Sequence, residues 1–477
     1  MKNILKGYPR TFWVANTIEL IERWAWYGLF MLFANYLTND IEKGGLGFSQ
    51  SQKGWIMGIG TGILYFLPVI TGSIADKYGY RRMLFIAFVI YTSAFFVFPY
   101  FDSFTGVFAV YIYLAVGAAL FKPIISATIA KTTDESNSSV GFGIFYMMVN
   151  AGAFLGPMVT LFFKNKSYDV VFHISGLMIA LNFIMLLFYK EPGRDNLESK
   201  GSFGEIIKQS FGNIISVISK DLKFLLFLLI VAGFWTMYNQ LFFTLPVFIE
   251  QWVDSSTLYN FFSLHIPFIA DNYSTGDGGM KSEFITNFDA LYIIVFQIFI
   301  SAMVMRWKPL KAMTTGFVIN SIGMAMTLYS QNVIFLLVAM FIFAVGEMMG
   351  SPKITEYIGL IAPKDKKALY MGFSFIPVFI GNVLAGVVSG PVYQSMSDRR
   401  SFVMQLAKSK GFNISADPKK HEYFVEVAHK MNMTEKQLVD YLWQHHHPYN
   451  IWIVIFAIGI VAATALNLYN KRVLKSK

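Results

Sequence analysis

The sequence predicts an all-α membrane protein of about twelve spanning helices in two six-helix halves, and three observations carry that prediction. Hydrophobic residues make up 55% of the chain and charged residues only 14%, against roughly 25% charged in a soluble domain. Apolar runs near the ~20 residues a bilayer-spanning helix needs recur along the chain, without the alternation of a membrane barrel. A polar interval, residues 190–220, divides these runs in the middle.

The expected spans lie near 11–38, 51–75, 82–101, 105–130, 140–164, 170–189, 223–252, 286–306, 310–330, 333–361, 368–394 and 449–470. Residues 1–190 form one expected half and 223–477 the other, joined by a linker at 191–222 that holds Pro192, Gly193, Arg194 and Asp195. Short segments on one side carry Lys2, Lys6 and Arg10; Lys77, Arg81 and Arg82; Arg306, Lys308 and Lys311; Lys364, Lys366 and Lys367; and Lys471, Arg472, Lys475 and Lys477. The short loops on the opposite side hold few, Lys43 and Lys53, then Lys164 and Lys166. The positive-inside rule therefore expects both termini in the cytoplasm of a multi-pass protein of the cell membrane, a bacterial inner membrane. The same scatter of bases among short loops accounts for the net charge of +10 and gives no reason to expect nucleic acid as a partner. Cysteine is absent, which excludes disulfides and thiolate metal sites. No cleavable signal peptide is expected, because the first span has no short apolar core with a small-residue cleavage site.

That first span is the most informative segment. Glu19, Glu22 and Arg23 sit inside an otherwise apolar and aromatic stretch, residues 12–37. Each charge costs on the order of 2.5–3.5 kcal/mol at the centre of a membrane helix. At 3.6 residues per turn the three share one face, continued by Trp26, Tyr27 and Phe30. A polar, aromatic stripe of this kind points to a solute or ion pathway.

The loop after the second span reads Gly72-Ser73-Ile74-Ala75-Asp76-Lys77-Tyr78-Gly79-Tyr80-Arg81-Arg82. It resembles the loop signature of the major facilitator superfamily, a tight turn in which Asp76, with Arg81 and Arg82 nearby, is expected to gate the cytoplasmic side by meeting a base or helix N-terminus of the other half. Within that superfamily the chain resembles the proton-coupled oligopeptide transporters, the POT or PTR family. The resemblance rests on Glu19-Leu20-Ile21-Glu22-Arg23-Trp24 followed by Tyr27-Gly28, on Phe121-Lys122-Pro123, and on Phe145-Tyr146 with Asn150 and Gly152. Phe234-Trp235 with Gln240, Glu347 with Ser351-Pro352, and Met371-Gly372 extend it over residues 12–395.

The resemblance implies alternating access, with proton-coupled symport of di- or tripeptides or peptide-like molecules. Glu19, Glu22, Arg23 and Lys122 would form a paired cluster that takes up and releases a proton, and Arg23 and Lys122 would also receive a substrate carboxylate. Asn150 and Glu347 would hold the substrate's amino end, with Tyr27, Tyr65, Trp26 and Trp235 as walls. Three departures bear on the substrate. The family's arginine one turn beyond Tyr27-Gly28 is Phe30, the acid before its seventh-span Gln is Asn239, and its eighth-span Asn-Pro aligns with Asp289-Ala290. Loss of the first two together is what loss of an ion pair as a unit would leave. Asn239 and Asp289 nevertheless stay among the expected substrate-contacting positions. Lys353 and Glu356 are spaced to pair with each other along the tenth span.

Two polar insertions are expected on the outer face, near 254–285 and 397–448. Asp417-Pro418 reads as a helix start and Thr434 with Gln437 as a capping box, so two short helices are expected in the second. His445-His446-His447 marks a helix end rather than a metal site, since adjacent residues do not share a helix face. No nucleophile–base constellation or phosphate loop is present, so neither enzyme activity nor a cofactor is expected. A monomer with protons, a small solute and the bilayer as partners is the expected working unit. Two other readings stand beside peptide symport: carriage of a non-peptide organic solute or anion on the same fold, and a membrane receptor that binds without transport.

Overall fold

The computed structural model describes residues 7–134, 137–164, 167–193, 203–327, 331–363 and 367–473. Lys2, Lys6, Lys166, Arg194, Asp195, Lys364, Lys366, Lys475 and Lys477, weighed above as loop or linker charges, lie outside the described residues. Among the described residues the regular elements are helices, and extended pairing is limited to two isolated bridges, Asp254–Asn332 and Ser274–Met280.

The first half contains α1 (Arg10–Thr38), α2 (Gln50–Phe66), α3 (Pro68–Tyr78), α4 (Tyr80–Val97), α5 (Phe104–Lys131), α6 (Ser138–Lys164) and α7 (Tyr168–Phe188). After α8 (Phe203–Lys220) comes an interrupted span of α9 (Leu222–Tyr238), α10 (Gln240–Phe243) and α11 (Leu245–Trp252). The loop helices α12 (Ser256–His265) and α13 (Pro267–Tyr273) follow, and α14 (Ser282–Thr286) leads into α15 (Phe288–Val304). Then come α16 (Pro309–Met326), α17 (Val333–Ile361), α18 (Lys367–Gly372), α19 (Phe375–Val387) and α20 (Tyr393–Met396). The chain ends through α21 (Arg399–Ser409), α22 (His421–Lys430), α23 (Glu435–His446) and α24 (Ile451–Leu468).

Among the described residues nine helical segments are long and apolar enough to cross a membrane, and α2 with α3 makes a tenth, bent by 41°. The bend falls at Leu67-Pro68, where proline removes a backbone donor and cannot continue a straight helix. The other two expected spans are α1 and α16. Both are less apolar because they face protein: α1 packs on α6 and α7, and α16 lies between α17 and α24. Within the described residues, each of the twelve segments expected from sequence is built from helix.

The loops 39–49, 253–281 and 397–450 share one face, called here the insertion face, and at this face the two halves are bonded to each other. Asn35 Nδ2 donates to Ser282 Oγ at 2.7 Å and to Glu283 Oε1 at 3.0 Å. Gln50 Nε2 donates to Asp398 Oδ1 at 3.0 Å, and Ser51 Oγ to Gln394 Oε1 at 2.6 Å. Arg400 reaches the Gly47 carbonyl at 2.9 Å and Asp40 Oδ1 at 3.2 Å. Beneath these bonds α2 and α19 touch backbone to backbone. A methyl group at Gly54 would lie 2.2 Å from the Gly386 carbonyl oxygen, and one at Gly58 2.9 Å from Gly386 Cα, so only glycine allows this approach.

Three local expectations need correction. Lys53 is not a loop residue. The capping box of Ser49 and Gln52 starts α2 at Gln50, which makes Lys53 helical and fully buried. The second insertion holds three helices rather than two. Asp398 caps α21 by accepting from Ser401 N at 3.0 Å, a start hidden by the apolar run that precedes it. Asp417-Pro418 does not begin α22: Asp417 Oδ1 accepts from Lys419 N at 2.9 Å in a local turn, and the helix starts at His421. The capping box at Thr434 and Gln437 starts α23 as its spacing predicts.

Candidate functional site

Four helices, α1, α5, α15 and α17, bring the charged residues of the site together, and α9 adds Trp235 and Tyr238. On α1, Arg23 Nε lies 2.5 Å from Glu22 Oε2 and 3.3 Å from Glu19 Oε1. Tyr91 of α4 donates to the second Glu22 oxygen at 3.1 Å, and the Arg23 guanidinium sits 5.8 Å from the Tyr27 ring centroid. Gly152 gives α6 access to this helix, since a methyl there would meet Arg23 Cβ at 2.6 Å. The cluster is internally paired, as a buried charge group must be.

Lys122 differs from the expectation of a four-membered cluster. Its ammonium makes no ion pair among the described residues and lies 4.3 Å from the centroid of the Tyr65 ring. Glu19 and Glu22 are occupied by Arg23, so the lysine stays poised on an aromatic face, electrostatically attracted but unneutralised.

The second half presents two carboxylates with buried oxygens and no ion pair among the described residues. Tyr238 of α9 donates to Glu347 Oε1 at 2.8 Å, while Glu347 Oε2 is buried with no hydrogen-bond partner. Asp289 of α15 is 5% exposed and its Oδ1 is likewise unpartnered. Asn239 Nδ2 and Trp235 Nε1 add two unmet donors on the same interrupted span. Tyr27 lies within electrostatic reach of Arg23, Tyr65 and Glu347, which puts it between the two charged sides. Tyr146 of α6 is within similar reach of Glu347 and Asp289. Asn150 spends its amide hydrogen on the Tyr146 carbonyl at 2.8 Å, within its own helix.

Where the resemblance expects an arginine and an acid, the chain builds an aromatic wall. Phe30 stacks on Trp26 with centroids 5.0 Å apart and meets Phe242 at 5.2 Å and Phe243 at 6.1 Å. Asn239 stands at the break between α9 and α10. Lys353 bonds Glu356 at 2.7 Å, the i,i+3 pair its spacing predicts.

The loop signature folds onto its own half. Asp76 Oδ1 accepts from Tyr80 OH at 2.6 Å and lies 3.8 Å from Lys131 Nζ of α5. Glu191 takes Tyr80 N at 2.8 Å and Arg81 N at 3.5 Å, an acid at the N-terminus of α4. The Arg81 and Arg82 side chains are exposed. In this structure Asp76 meets Lys131 of its own half in place of the expected cross-half partner, because α3 packs beside α5. The three histidines are engaged locally: His445 stacks on Tyr441, His446 on Phe402, and His447 Nδ1 meets Tyr449 OH at 2.8 Å.

The sequence reading missed Lys53 as a site residue. Its Nζ donates to the Phe243 carbonyl at 2.8 Å and lies 5.3 Å from the Tyr393 ring centroid. The capping box of Ser49 with Gln52, begun four residues upstream, was the available signal that it is helical.

Among the described residues, twelve helical segments around a buried polar centre define a multi-pass membrane carrier. The chain belongs to the Major Facilitator Superfamily, whose sequence description matches residues 17–270, more than half of it. Among curated relatives it is 26% identical over 200 residues to the uncharacterized transporter YclF of Bacillus subtilis, covering 41% of this chain and 40% of that protein. It is 24% identical over 242 residues to dipeptide and tripeptide permease A of Cronobacter turicensis, covering 49% and 45%. It is 23% identical over 406 residues to a Na(+), Li(+), K(+)/H(+) antiporter of Planococcus maritimus, covering 80% and 89%. The chain thus spans less than half the length of the first two. Among solved structures, a peptide transporter POT in complex with sulfate superposes with a TM-score of 0.70 at 16% identity, covering 98% and 95%. A POT family transporter in complex with 5-aminolevulinic acid gives 0.64 at 18%, covering 98% and 97%. The likeness to the POT family read from the first-span motif recurs in these matches.

Proposed function

We propose that this protein is a proton-coupled symporter of di- or tripeptides, or of peptide-like zwitterions. The observation that carries the reading is the split of charge across the site. Lys122 is a cation without an ion-pair partner among the described residues on the first half, and Glu347 and Asp289 are carboxylates with unmet oxygens on the second. A solute with a carboxylate at one end and an ammonium at the other can meet Lys122 with the first and the carboxylates of Glu347 and Asp289 with the second, whereas either end alone leaves one of these groups unmet. Permease A carries peptides by name, and 5-aminolevulinic acid, found on one structural neighbour, has both ends.

Glu19, Glu22, Arg23 and Lys122 are the proposed coupling group. A substrate carboxylate at Lys122 and Arg23 competes with the glutamates for the arginine and frees one of them to take a proton. Tyr27, Tyr65, Asn150, Trp235 and Asn239 are proposed as substrate-contacting, and Asp76, Arg81 and Arg82 as part of the gate. The halves, 1–190 and 223–477, would rock about this centre with 191–222 as a cytoplasmic linker, both termini inside and the insertion face outside. The monomer is the proposed unit, in a bacterial inner membrane, without enzymatic activity.

The test is uptake of labelled dialanine into proteoliposomes under an inward proton gradient. Accumulation above equilibrium that collapses with a protonophore supports the proposal, and its absence with an intact fold refutes it. A second reading, a non-peptide organic solute, is favoured by Phe30, Asn239 and Asp289, which make the pocket more aromatic and shift its charge. A thermal-shift comparison of dipeptides with organic acids and amines separates the two.

A further inference from the structure

Charge is balanced on one side of the site and not on the other. On the first half Glu19 and Glu22 are answered by Arg23, with Lys122 in electrostatic reach of Glu19. On the second half Asp289 and Glu347 are both buried, lie within electrostatic reach of each other, and have no cation at ion-pairing distance among the described residues. Each keeps one oxygen without a hydrogen-bond partner, and among the described residues the donor on the pair is Tyr238 OH, at 2.8 Å from Glu347 Oε1.

Among the described residues, the elements around this pair place no cation at ion-pairing distance from it. On α17 itself Lys353 is bonded to Glu356 at 2.7 Å. On α16 the lysine is Lys311, which lies over the Trp307 ring at 4.6 Å. Next to α15, at the start of α14, Lys281 reaches the Leu161 and Asn272 carbonyls, and Glu283 accepts from Asn35. α6 contributes Tyr146 and Asn150, α9 contributes Tyr238, α1 contributes Tyr27, and α15 adds Tyr292, all of them uncharged. The loop helix α12, which also touches α17, carries only the exposed His265, bonded to its own Phe261 carbonyl at 2.9 Å.

Two carboxylates that share an apolar enclosure with no counter-ion cannot both stay ionised. We propose that Asp289 and Glu347 hold one proton in common when the site is empty, making this pair a resident proton seat on the second half, separate from the Glu19–Glu22–Arg23 cluster. The step is a plain protonation: a carboxylate oxygen takes a proton from water and becomes the hydroxyl of a carboxyl, which leaves the other carboxylate ionised. The pair keeps a single negative charge. That charge accepts one ammonium without expelling the proton, so the loaded second half is neutral. The proton belongs to the pair and not to either residue. Asp289 stands where the resemblance expects an uncharged residue, and Asn239 where it expects an acid, so the titrating group has moved from the seventh span to the eighth. The inference concerns the empty protein and holds for whichever solute is carried.

The test uses purified full-length protein in nanodiscs without solute, read by infrared difference spectroscopy across a pH step from alkaline to neutral. A protonated buried carboxyl gives a C=O stretching band apart from the carboxylate bands and apart from exposed acids. The band is expected at neutral pH in the wild type and in Glu19→Gln/Glu22→Gln, and is expected to be lost in Asp289→Asn/Glu347→Gln. The amide replacements keep size and hydrogen-bonding capacity, and monodisperse elution checks their fold. If the C-half double variant does not fold, the single variants Asp289→Asn and Glu347→Gln are read instead, each expected to shift the band in frequency. A band that survives unchanged without the pair, or vanishes with the first-helix glutamates, overturns the proposal. So does a wild-type band abolished by sodium but not by choline, since the seat would then belong to a metal cation. Failure of dialanine uptake with the band intact would remove the peptide reading alone.

Discussion

The fully buried ammonium of Lys53 donates to the main-chain carbonyl of Phe243, 2.8 Å away, and so ties the first turn of α2 to the break between α10 and α11. A carbonyl at the end of a short helix has no intrahelical partner, and a cation there is favoured by the helix dipole. The bond joins the two halves directly below the Gln50–Asp398 contact. Lys53→Met keeps the apolar stem and removes the donor, which leaves a buried carbonyl unmet at about 1–3 kcal/mol. The closed insertion face should open more often. Because the chain has no native cysteine, a single reporter at Gln394→Cys can be read by maleimide labelling, expected to be several-fold faster in the variant.

Gly54→Val tests the backbone contact beneath it. Its Cβ would collide with the Gly386 carbonyl oxygen at 2.2 Å, and neither helix backbone can yield cheaply. Overpacking of this kind costs about 1–3 kcal/mol. Faster labelling at the insertion face and loss of uptake are expected. Uptake and labelling equal to wild type would show that the halves do not close along α2 and α19.

Lys122→Ala should separate function from stability. The lysine has only the Tyr65 ring beneath it, worth about 0.5–2 kcal/mol, so the melting temperature should move by a few degrees at most. Concentrative uptake should fall to background, because the anion anchor is gone. Near wild-type uptake under a proton gradient would remove Lys122 from the site.

Glu22→Gln should keep exchange and lose pH-driven accumulation. Glutamine can still accept from Tyr91, and Glu19 remains at 3.3 Å from Arg23, so the cluster keeps its contacts with one carboxylate fewer. Glu19→Gln should weaken accumulation similarly. Counterflow assays with and without a proton gradient read both effects, and full accumulation in both variants would leave coupling to Asp289 and Glu347.

Asp76→Asn should behave like Lys131→Gln, since the two form one ion pair at 3.8 Å. Both side chains are largely exposed, so each change should cost less than about 1 kcal/mol. A double-mutant cycle on labelling at the face opposite the insertions should show coupling between them. Independent effects would mean that Asp76 acts through another partner.

The sequence by itself determined the helical class and the positions of the twelve segments, because burial in lipid demands a run of fixed length and polarity. It also determined that α1 faces inward, since Glu19, Glu22 and Arg23 on one stripe tolerate nothing else. It named the two acids of the second half and both cations of the first. Only the tertiary structure decided how those charges divide. Arg23 can satisfy its own helix's glutamates by local geometry, and that leaves Lys122 to the aromatic face of Tyr65, a residue distant in sequence. The same limit explains Lys53 and the α2–α19 glycines. Whether a lysine near a helix start meets solvent or a carbonyl of another helix, and whether a glycine marks a turn or a point of backbone contact, depends on what packs against it. Periodicity within one helix carries no information about the neighbour.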